Sequence, residues 1–295
     1  MTKKKDPFKA SFLVVGTARN CSDTLIKDIH IIRKALSFSS SISFFIVESD
    51  SSDDTNVKLE KCKKEFPNFL YKSFGNIKTK YPLRTERIAF CRNKYLEEIK
   101  SNKNFINIDY VCVVDFDGVN NLLDKKGILS CWQRTDWDVC CACQKGPYYD
   151  VFALRQEFLS PNDCWEQRDF LMKQGFSKFR ATYNSVYSRM LNYSKFKNWI
   201  KVDSAFGGFA LYTIDSIKKG IYVGKKNNHK EICEHISLNK SIIDTGGFIY
   251  INPFLINNKR TTHSRFASLF GLFKFLIFCI LEEKKFFKKF FFNQK

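Results

Sequence analysis

The sequence predicts an α/β fold with a doubly wound, mostly parallel sheet. Short apolar runs rich in Val, Ile and Phe alternate with longer stretches whose apolar residues recur at helical spacing. Strand and helix signals that alternate in this way are typical of βαβ units, which place helices on both faces of a parallel sheet. A chain of 295 residues with 44% hydrophobic side chains can bury a large core around such a sheet.

The first half of the chain carries the regular part of this pattern. Turns rich in Asp, Ser and Gly separate its apolar runs, so each element has a definite limit. We predict, in chain order, a strand at 11–17, a helix at 21–36, a strand at 41–49, a helix ending near Phe66, a strand at 68–74, a helix at 84–100 and a strand at 109–118.

The second half predicts a less regular arrangement. Residues 156–200 are aromatic and basic, with helical stretches. Around them we predict strands at 137–144, 149–155, 204–213 and 246–253, and a helix at 231–242. The folded domain is expected to span 11–258, with halves of about 11–118 and 119–258, between a basic segment at 1–10 and a basic aromatic tail at 259–295.

The net charge predicts an acidic partner. The chain has 49 Lys and Arg against 30 Asp and Glu, which gives a formal charge of +19. Such a charge favours association with nucleotide diphosphates, an anionic membrane or nucleic acid. The sequence has no recognised nucleic-acid-binding module, so nucleic acid is not the expected partner.

The cysteines predict a reducing compartment. Eleven cysteines is an odd number, and most of them lie in apolar runs such as "YVCVVDF" and "WDVCCACQ". Free buried cysteine behaves as a small hydrophobic side chain. This pattern suits the cytoplasm better than a disulfide-bonded secreted scaffold.

Acidic residues follow two of the predicted strands. Glu48, Asp50 and Asp53 lie at or after the end of the second strand, and Asp115 and Asp117 end the fourth. Ligands of doubly wound sheets bind at the carboxyl ends of strands. We therefore expect these five side chains to border one crevice.

The segment "DFDG", with Asp115 and Asp117, suits two chemistries. It resembles the first motif of haloacid-dehalogenase-like phosphatases, which implies Asp115 as a nucleophile. That class also needs a later lysine and a second acidic pair, and none of the following acids forms a convincing one. Alternatively, the two carboxylates hold a divalent metal against a diphosphate. This second interpretation also accounts for the hundred or so residues of βα units that precede the motif.

Several motifs resemble those of GT-A-fold glycosyltransferases, the nucleotide-diphospho-sugar transferase fold. "VESDSSDDT" resembles their acidic turn, "RIAFCRN" a basic helix that covers the donor, and "VVDFDG" their D-x-D motif. With "YDxFALR" and "FGGFALY…CEHISLN…INP", the ordered set over 11–258 resembles the cryptococcal capsular α-1,3-mannosyltransferase family and its bacterial relatives. The resemblance implies a metal-dependent transfer of a hexose, with mannose as a candidate. The donor would be a GDP- or UDP-linked sugar, and the acceptor a surface glycan or lipid-linked saccharide.

The resemblance also implies roles for particular residues. Asp115 and Asp117 would hold Mn²⁺ or Mg²⁺, with His235 as a further metal or phosphate contact. Glu234 would be the general base of an inverting enzyme, while Glu234 or Asp203 would orient substrate in a retaining one. The donor would be bound by the strand ends and the basic helix, through Thr17, Arg19, Asn20, Glu48, Asp53, Arg84, Arg87, Arg92, Asp115, Gly207 and Gly208.

Some of these residue types also suit ordinary structural roles. Glu48 and Asp53 are as typical of a turn as they are of a donor site. The arginines of 84–92 are also typical of a solvated helix face. Tyr148, Tyr149 and Asp150 either line the sugar site or pack in the core. Glu234–His235 stands where many GT-A enzymes have Glu–Asp, which leaves the identity of the base open.

The C-terminal tail predicts peripheral membrane attachment. "FASLFGLFKFLIFCIL" at 266–281 is short for a membrane span and contains a lysine. In "KKFFKKFFF" at 284–292, helical spacing separates an arc of lysines from an arc of phenylalanines, which is typical of helices in the membrane interface. A non-catalytic, basic membrane-binding module therefore remains the second alternative to the transferase.

Overall fold

The structure is a computed structural model that describes residues 4–227 and 229–261, together with Ser264, Ala267 and Ile277. Eight strands form one mixed sheet: β1 (Ser11–Ala18), β2 (Ser41–Glu48), β3 (Phe69–Ser73), β4 (Tyr110–Asp115), β5 (Val139–Gln144), β6 (Ile200–Val202), β7 (Phe209–Thr213) and β8 (Ile249–Asn258). The helices are α1 (Ser22–Ala35), α2 (Thr55–Glu65), α3 (Arg84–Ser101), α4 (Lys125–Leu129), α5 (Cys164–Lys173), α6 (Lys178–Ser185), α7 (Ile214–Ile217) and α8 (Glu234–Asp244).

The strand order is β3-β2-β1-β4-β7-β5-β8-β6. Strands β1 to β4 are parallel to one another, and β5 is parallel to β8. Strand β7 is antiparallel to both of its neighbours, and β6 is antiparallel to β8. The predicted α/β class with a mostly parallel sheet is confirmed.

Side chains of each central strand alternate between two hydrophobic layers. In β1, Leu13 and Val15 face one layer, while Phe12 and Val14 face the other. Helices α3 and α8 cover the first layer, and α1 and α2 cover the second. A strand buried on both faces must be apolar at nearly every position, which explains the continuous runs in the sequence. This two-sided cover is the doubly wound arrangement.

The predicted strand at 149–155 is wrong. The segment forms turns, and its one ladder contact is an isolated bridge between Arg155 and Ser204. The carboxylate of Asp150 accepts a hydrogen bond from the backbone N–H of Gly207 at 2.9 Å, and Phe152 faces a cavity. These tertiary contacts hold the segment out of the sheet despite its β-branched and aromatic residues.

Most of the tail lies outside the described residues. The predicted apolar stretch at 266–281 is described only at Ala267 and Ile277, and the Lys–Phe stretch at 284–292 not at all. Among the residues that are described, no helix has both the length and the apolar character required to cross a bilayer.

A buried carboxylate ties α1 to the loop that follows β4. Asp28 is fully buried, and its Oδ2 accepts a hydrogen bond from the N–H of Gly118 at 2.9 Å. Its Oδ1 has no hydrogen-bond partner among the described residues. Gly118 has a φ of 82°, a backbone conformation that glycine adopts without strain. This contact fixes the turn after Asp117.

We expect Asp28→Asn to stabilise the protein at neutral pH. Burial raises the pKa of Asp28 from 3.8 to about 6, so the folded state holds the proton more tightly than the unfolded state. Stability from this group is complete below pH 3.8 and is lost as the pH rises through about 6. The variant keeps the oxygen that accepts the hydrogen bond from Gly118 but has no charge to bury. Its free energy of unfolding should therefore exceed that of wild type by a margin that grows over this pH range to about 2 kcal/mol.

Urea unfolding at several pH values measures this difference. Asp169→Asn, at an exposed position, is the matched control for the change in net charge. A stability difference between Asp28→Asn and wild type that does not vary between pH 4 and 7 would contradict the assignment.

Candidate active site

The carboxyl ends of β1, β2 and β4 open onto one cavity of about 460 Å³. Helix α3, the first turn of α8 and the loops around Tyr149 and Phe206 form the rest of its wall. Ten of the fifteen predicted site residues line it: Thr17, Arg19, Asn20, Arg84, Arg87, Arg92, Asp115, Asp117, Glu234 and His235. The wall is strongly charged, since five carboxylates and four arginines face the same space.

Asp115 is the last residue of β4 and Asp117 lies two residues further along, so both acids stand where the strand opens onto the cavity. The N–H of Asp115 donates to the carbonyl of Gly208 on the neighbouring chain segment at 3.0 Å. The side chain of Asn120 donates to the carbonyl of Asp115 at 2.8 Å and so closes the loop. Phe116, between the two acids, is buried in the core. This alternation turns both acids toward the cavity while Asp117 stays exposed to solvent.

Gly207 and Gly208 lie behind the cavity wall. Their φ angles are 76° and 86°. A Cβ on Gly207 would lie 2.6 Å from the carbonyl oxygen of Ala142, and one on Gly208 would lie 2.6 Å from Tyr149 Oη. The two glycines therefore permit the segment before β7 to pack closely against β5 and Tyr149, and the contacts that require glycine here are with protein atoms.

Arg92 is the centre of a buried ion-pair network. Its Nη2 lies 3.1 Å from Asp115 Oδ1, and its Nε lies 3.0 Å from Glu234 Oε1. Its Nη1 donates to Tyr95 Oη at 3.2 Å. The side chain is only 3% exposed, so its hydrogen bonds are made within the protein rather than with water. Burial raises the pKa of Asp115, and the guanidinium of Arg92 opposes that shift.

Glu234 and His235 form the first turn of α8. Both face the cavity, and Glu234 Oε1 lies 3.7 Å from His235 Nε2. The imidazole stacks on Phe206 with ring centroids 4.0 Å apart. Burial, and then the charge of Arg92, lower the pKa of His235 well below its ordinary value, so the ring is neutral. Neither ring nitrogen has a hydrogen-bond partner among the described residues, which is a costly state for buried polar atoms that bind nothing.

Asp50 presents a second unsatisfied group to the cavity. Its Oδ1 accepts hydrogen bonds from the N–H groups of Ile77 and Lys78 at 2.9 and 3.0 Å. Its buried Oδ2 has no hydrogen-bond partner among the described residues, and Arg87 Nε lies 3.8 Å away. The sequence identifies Asp50 only as a strand-end acid. Its place in the wall depends on a φ of 57°, which local sequence does not reveal.

The four arginines divide into two pairs. The described ion pairs involve Arg87 and Arg92 but neither Arg19 nor Arg84. Arg87 also donates to the carbonyls of Tyr81 and Pro82, so it orders the loop before α3. Arg19 and Arg84 are exposed. These two are the cations that remain accessible to an anionic ligand.

Asn20, Glu48 and Asp53 build the turns around the cavity. Asn20 Oδ1 accepts a hydrogen bond from the N–H of Ser52 at 2.7 Å, which joins the loops after β1 and β2. Glu48 is fully buried and is bound by the hydroxyl of Ser73. Although desolvation opposes it, hydrogen bonds from Thr55 and Ser22 lower the pKa of Asp53 to about 2. The structure places Glu48 and Asp53 outside the cavity lining.

Asp203 also lies away from the cavity lining. It is exposed, and its N–H donates to the carbonyl of Arg155 at 2.9 Å. Asp150 instead lies in the cavity wall, as Glu234 from the same half of the chain does, and burial raises the pKa of the Asp150 carboxyl. Tyr149 lines the cavity beside it, whereas Tyr148 is buried in the core.

The residues of the cavity fit a divalent cation in part. Asp115 and Asp117 provide oxygen ligands, and His235 provides an unpaired, neutral imidazole. Hard cations prefer carboxylate oxygens, and Mg²⁺ is commonly bound by one or two carboxylates with water and substrate phosphates as the other ligands. Among the described residues, no three His, Cys, Asp or Glu side chains already stand close enough together to hold a metal by themselves.

Comparisons with known proteins give structural matches alone. No protein-family model and no curated protein matches the sequence. A mannosyltransferase from Pyrobaculum calidifontis, solved with GDP-Man and Mn²⁺, has 12% identity and a TM-score of 0.48; the match covers 86% of this chain and 58% of that chain. S. aureus TarS 1-349, solved with UDP-GlcNAc, has 14% identity and a TM-score of 0.49, with coverage of 88% and 62%.

A third match is glucosyl-3-phosphoglycerate synthase from Mycobacterium tuberculosis, solved with UDP. It has 12% identity and a TM-score of 0.43, and the match covers 89% of this chain and 75% of that chain. This chain spans about three fifths of the first two proteins. TM-scores of 0.43 to 0.49 are too low to support a conclusion about activity. The resemblance to the cryptococcal family stays a prediction.

We expect Arg92→Met to destabilise the fold far more than Arg84→Met. Removing Arg92 leaves the buried Glu234 and the partly buried Asp115 without their cation, and the loss of one partner of a buried ion pair typically costs about 3–5 kcal/mol. Arg84 begins the same helix but is exposed, so its replacement should change stability by about 0.5 kcal/mol or less. Guanidinium unfolding of the two variants measures the difference, and equal small losses would contradict the structural role of Arg92.

Proposed function

We propose that the chain is a metal-dependent glycosyltransferase that moves a hexose from a nucleotide-sugar donor to a glycan or lipid-linked acceptor. The observation that carries the proposal is that Asp115 and Asp117 face the same cavity as the accessible Arg19 and Arg84. Carboxylates for a cation and arginines for phosphate oxygens are together the groups that a metal-bound diphosphate requires. The donor is a GDP- or UDP-linked sugar, with mannose as the first sugar to test.

The proposed chemistry follows from the charge of the leaving group. A nucleoside diphosphate gains negative charge as its bond to the sugar breaks, and a divalent cation such as Mn²⁺ or Mg²⁺ would supply the opposing charge. Asp115 and Asp117 would hold this cation, with His235 as a further contact. Arg19 and Arg84 bind the phosphates directly and stabilise the same charge. The first turn of α8, the positive end of the helix dipole, also lines the cavity through Glu234 and His235.

Glu234 is the proposed general base. Arg92 holds its Oε1 at 3.0 Å and so fixes the orientation of the carboxylate toward the cavity. The other oxygen, Oε2, then takes the proton from the acceptor hydroxyl as this hydroxyl attacks the sugar.

The proposed location is the cytoplasmic face of a membrane. All ten described cysteines are free and buried, which suits a reducing compartment. The tail at 259–295 carries the proposed attachment to anionic lipid.

We expect Asp117→Ala to abolish both the Mn²⁺-dependent transfer of the sugar and the Mn²⁺-dependent hydrolysis of the donor. The variant should remain folded. The side chain is exposed, so its loss removes a metal ligand without opening the core. Turnover of GDP-mannose, UDP-glucose and UDP-N-acetylglucosamine, with and without Mn²⁺, measures the effect. Thermal unfolding checks the fold. Turnover equal to wild type would remove the metal role of Asp117, and a phospho-aspartate trapped at Asp115 would instead establish the phosphatase.

Glu234→Gln should lower kcat by about 10²–10⁴ and change the KM for the donor little, because it removes a base but no donor contact. Asp203→Asn is the matched control, since the exposed Asp203 lies outside the cavity lining. Steady-state kinetics with saturating acceptor measure both variants. If Glu234→Gln keeps a normal kcat and Asp203→Asn loses most of its kcat, the general base is Asp203 and not Glu234.

A further inference from the structure

Three buried amide side chains contact the lining of the candidate cavity without being part of it. They are Asn120 in the loop after β4, Gln144 at the end of β5 and Asn257 near the end of β8, and each is 0% exposed. We call these three side chains the amide network. Apolar side chains would fill a core without the cost of burying polar groups. The network therefore indicates contacts that apolar side chains cannot make.

The hydrogen bonds of the amide network run in one direction. The backbone N–H of Tyr149 donates to Gln144 Oε1 at 3.3 Å. Gln144 Nε2 donates to Asn257 Oδ1 at 2.9 Å, and Asn257 Nδ2 donates to Asn120 Oδ1 at 3.0 Å. Asn120 Nδ2 then donates to the carbonyl of Asp115 at 2.8 Å. The network thus connects two residues of the cavity lining, Tyr149 and Asp115.

The second N–H of each amide binds the glycine pair before β7. Gln144 and Asn257 both donate to the carbonyl of Gly207, at 3.2 and 2.7 Å. Asn120 donates to the carbonyl of Gly208 at 3.2 Å. Each amide nitrogen therefore donates twice, and each amide oxygen accepts once. Reversing any one amide would set donors against donors and acceptors against acceptors, so the network has a single orientation.

The amide network lies where the sheet ladders end. The ladder between β4 and β7 ends at the pair of Val114 and Phe209. The ladder between β5 and β7 ends at the pair of Cys141 and Ala210. The carbonyl of Gly207 lies beyond both ladders and accepts its hydrogen bonds from the network instead. Because buried carbonyls require partners, the network continues the bonding between these segments at the end of the sheet that borders the cavity.

These contacts hold two acids of the cavity wall in one framework. The backbone of Asp115 is bound on both sides, since its N–H donates to Gly208 at 3.0 Å and its carbonyl accepts from Asn120 at 2.8 Å. The N–H of Gly207 donates to the carboxylate of Asp150 at 2.9 Å. Both acids line the cavity. A shift of the amide network would therefore move the backbone that carries the first acid and the N–H that binds the second.

We propose that Asn120, Gln144 and Asn257 are positioning residues for the cation site of the proposed transferase. They hold the backbone at Asp115, and with it the loop that carries Asp117, in the arrangement that binds a divalent cation. The inference rests on the proposed function. The three amides act through the acids and not on the substrate, because none of them lines the cavity. Losing a group that holds a metal ligand in place typically lowers metal affinity or activity by about 10–100-fold.

Asn257→Ser breaks the amide network at its middle without touching either acid. Electron paramagnetic resonance of free Mn²⁺, with UDP or GDP present, measures the affinity of the full-length protein for the cation. This affinity should fall about tenfold or more in the variant. Asn252→Ser is the matched control, because Asn252 is also 0% exposed on β8 but donates to Ser130 Oγ at 2.8 Å, away from the cavity lining. The control should bind Mn²⁺ as wild type does.

Gln144→Met is a second variant, with a side chain of similar length but no amide group. It removes the end of the network that is farthest from Asp115 along the hydrogen bonds, so it should weaken Mn²⁺ binding only if the network transmits position. Amide hydrogen exchange without ligand should increase at 115–122 in both network variants, while exchange in β2 stays as in wild type. Thermal unfolding checks that each variant is folded.

The outcomes separate this inference from the proposed function. Wild-type Mn²⁺ affinity in the folded network variants would overturn the inference alone. A loss of affinity in Asn252→Ser equal to that in Asn257→Ser would also overturn it, since any buried amide would then serve. A wild-type protein that binds no Mn²⁺ with either nucleotide would contradict the proposed function itself.

Discussion

The candidate site depends on one buried cation. Arg92 contacts Asp115 at the end of β4 and Glu234 at the start of α8, two acids separated by more than a hundred residues. Without the guanidinium, the partly buried Asp115 and the buried Glu234 would repel each other with little screening by water on the side of Glu234. The ion pairs therefore join the two halves of the chain at the cavity, and they orient the two groups to which the proposal gives chemical roles.

The division of labour among the arginines follows from burial. Arg87 and Arg92 make their contacts inside the protein, so they shape the cavity, while Arg19 and Arg84 remain accessible to phosphate. The unsatisfied buried atoms, Asp50 Oδ2 and the ring nitrogens of His235, belong to residues that line the same cavity. A cavity that offers both accessible cations and unpaired buried polar atoms is suited to a ligand that carries charged and polar groups.

The sequence predicts the sheet well because strands buried on both faces leave continuous apolar runs, and the ends of those runs locate Asp115 and Asp117. The sequence does not reveal contacts between residues that are far apart along the chain. From its sequence context, Arg92 is predicted to lie on a helix face and to be available for phosphate. In the fold it is instead paired with Glu234, a residue far away in the sequence. Likewise, a side chain at Gly207 or Gly208 would clash with Ala142 on β5 or with Tyr149, and no local sequence pattern encodes these neighbours.

The central claim is that the carboxylates after β4 hold a cation against a diphosphate. Anomalous scattering from crystals grown with Mn²⁺ and GDP or UDP tests it most directly. The account predicts one manganese peak within coordination distance of Asp117, bridged to phosphate oxygens that also contact Arg84 or Arg19. Nucleotide bound in this cavity with manganese absent from both aspartates, or nucleotide bound elsewhere on the protein, would contradict it.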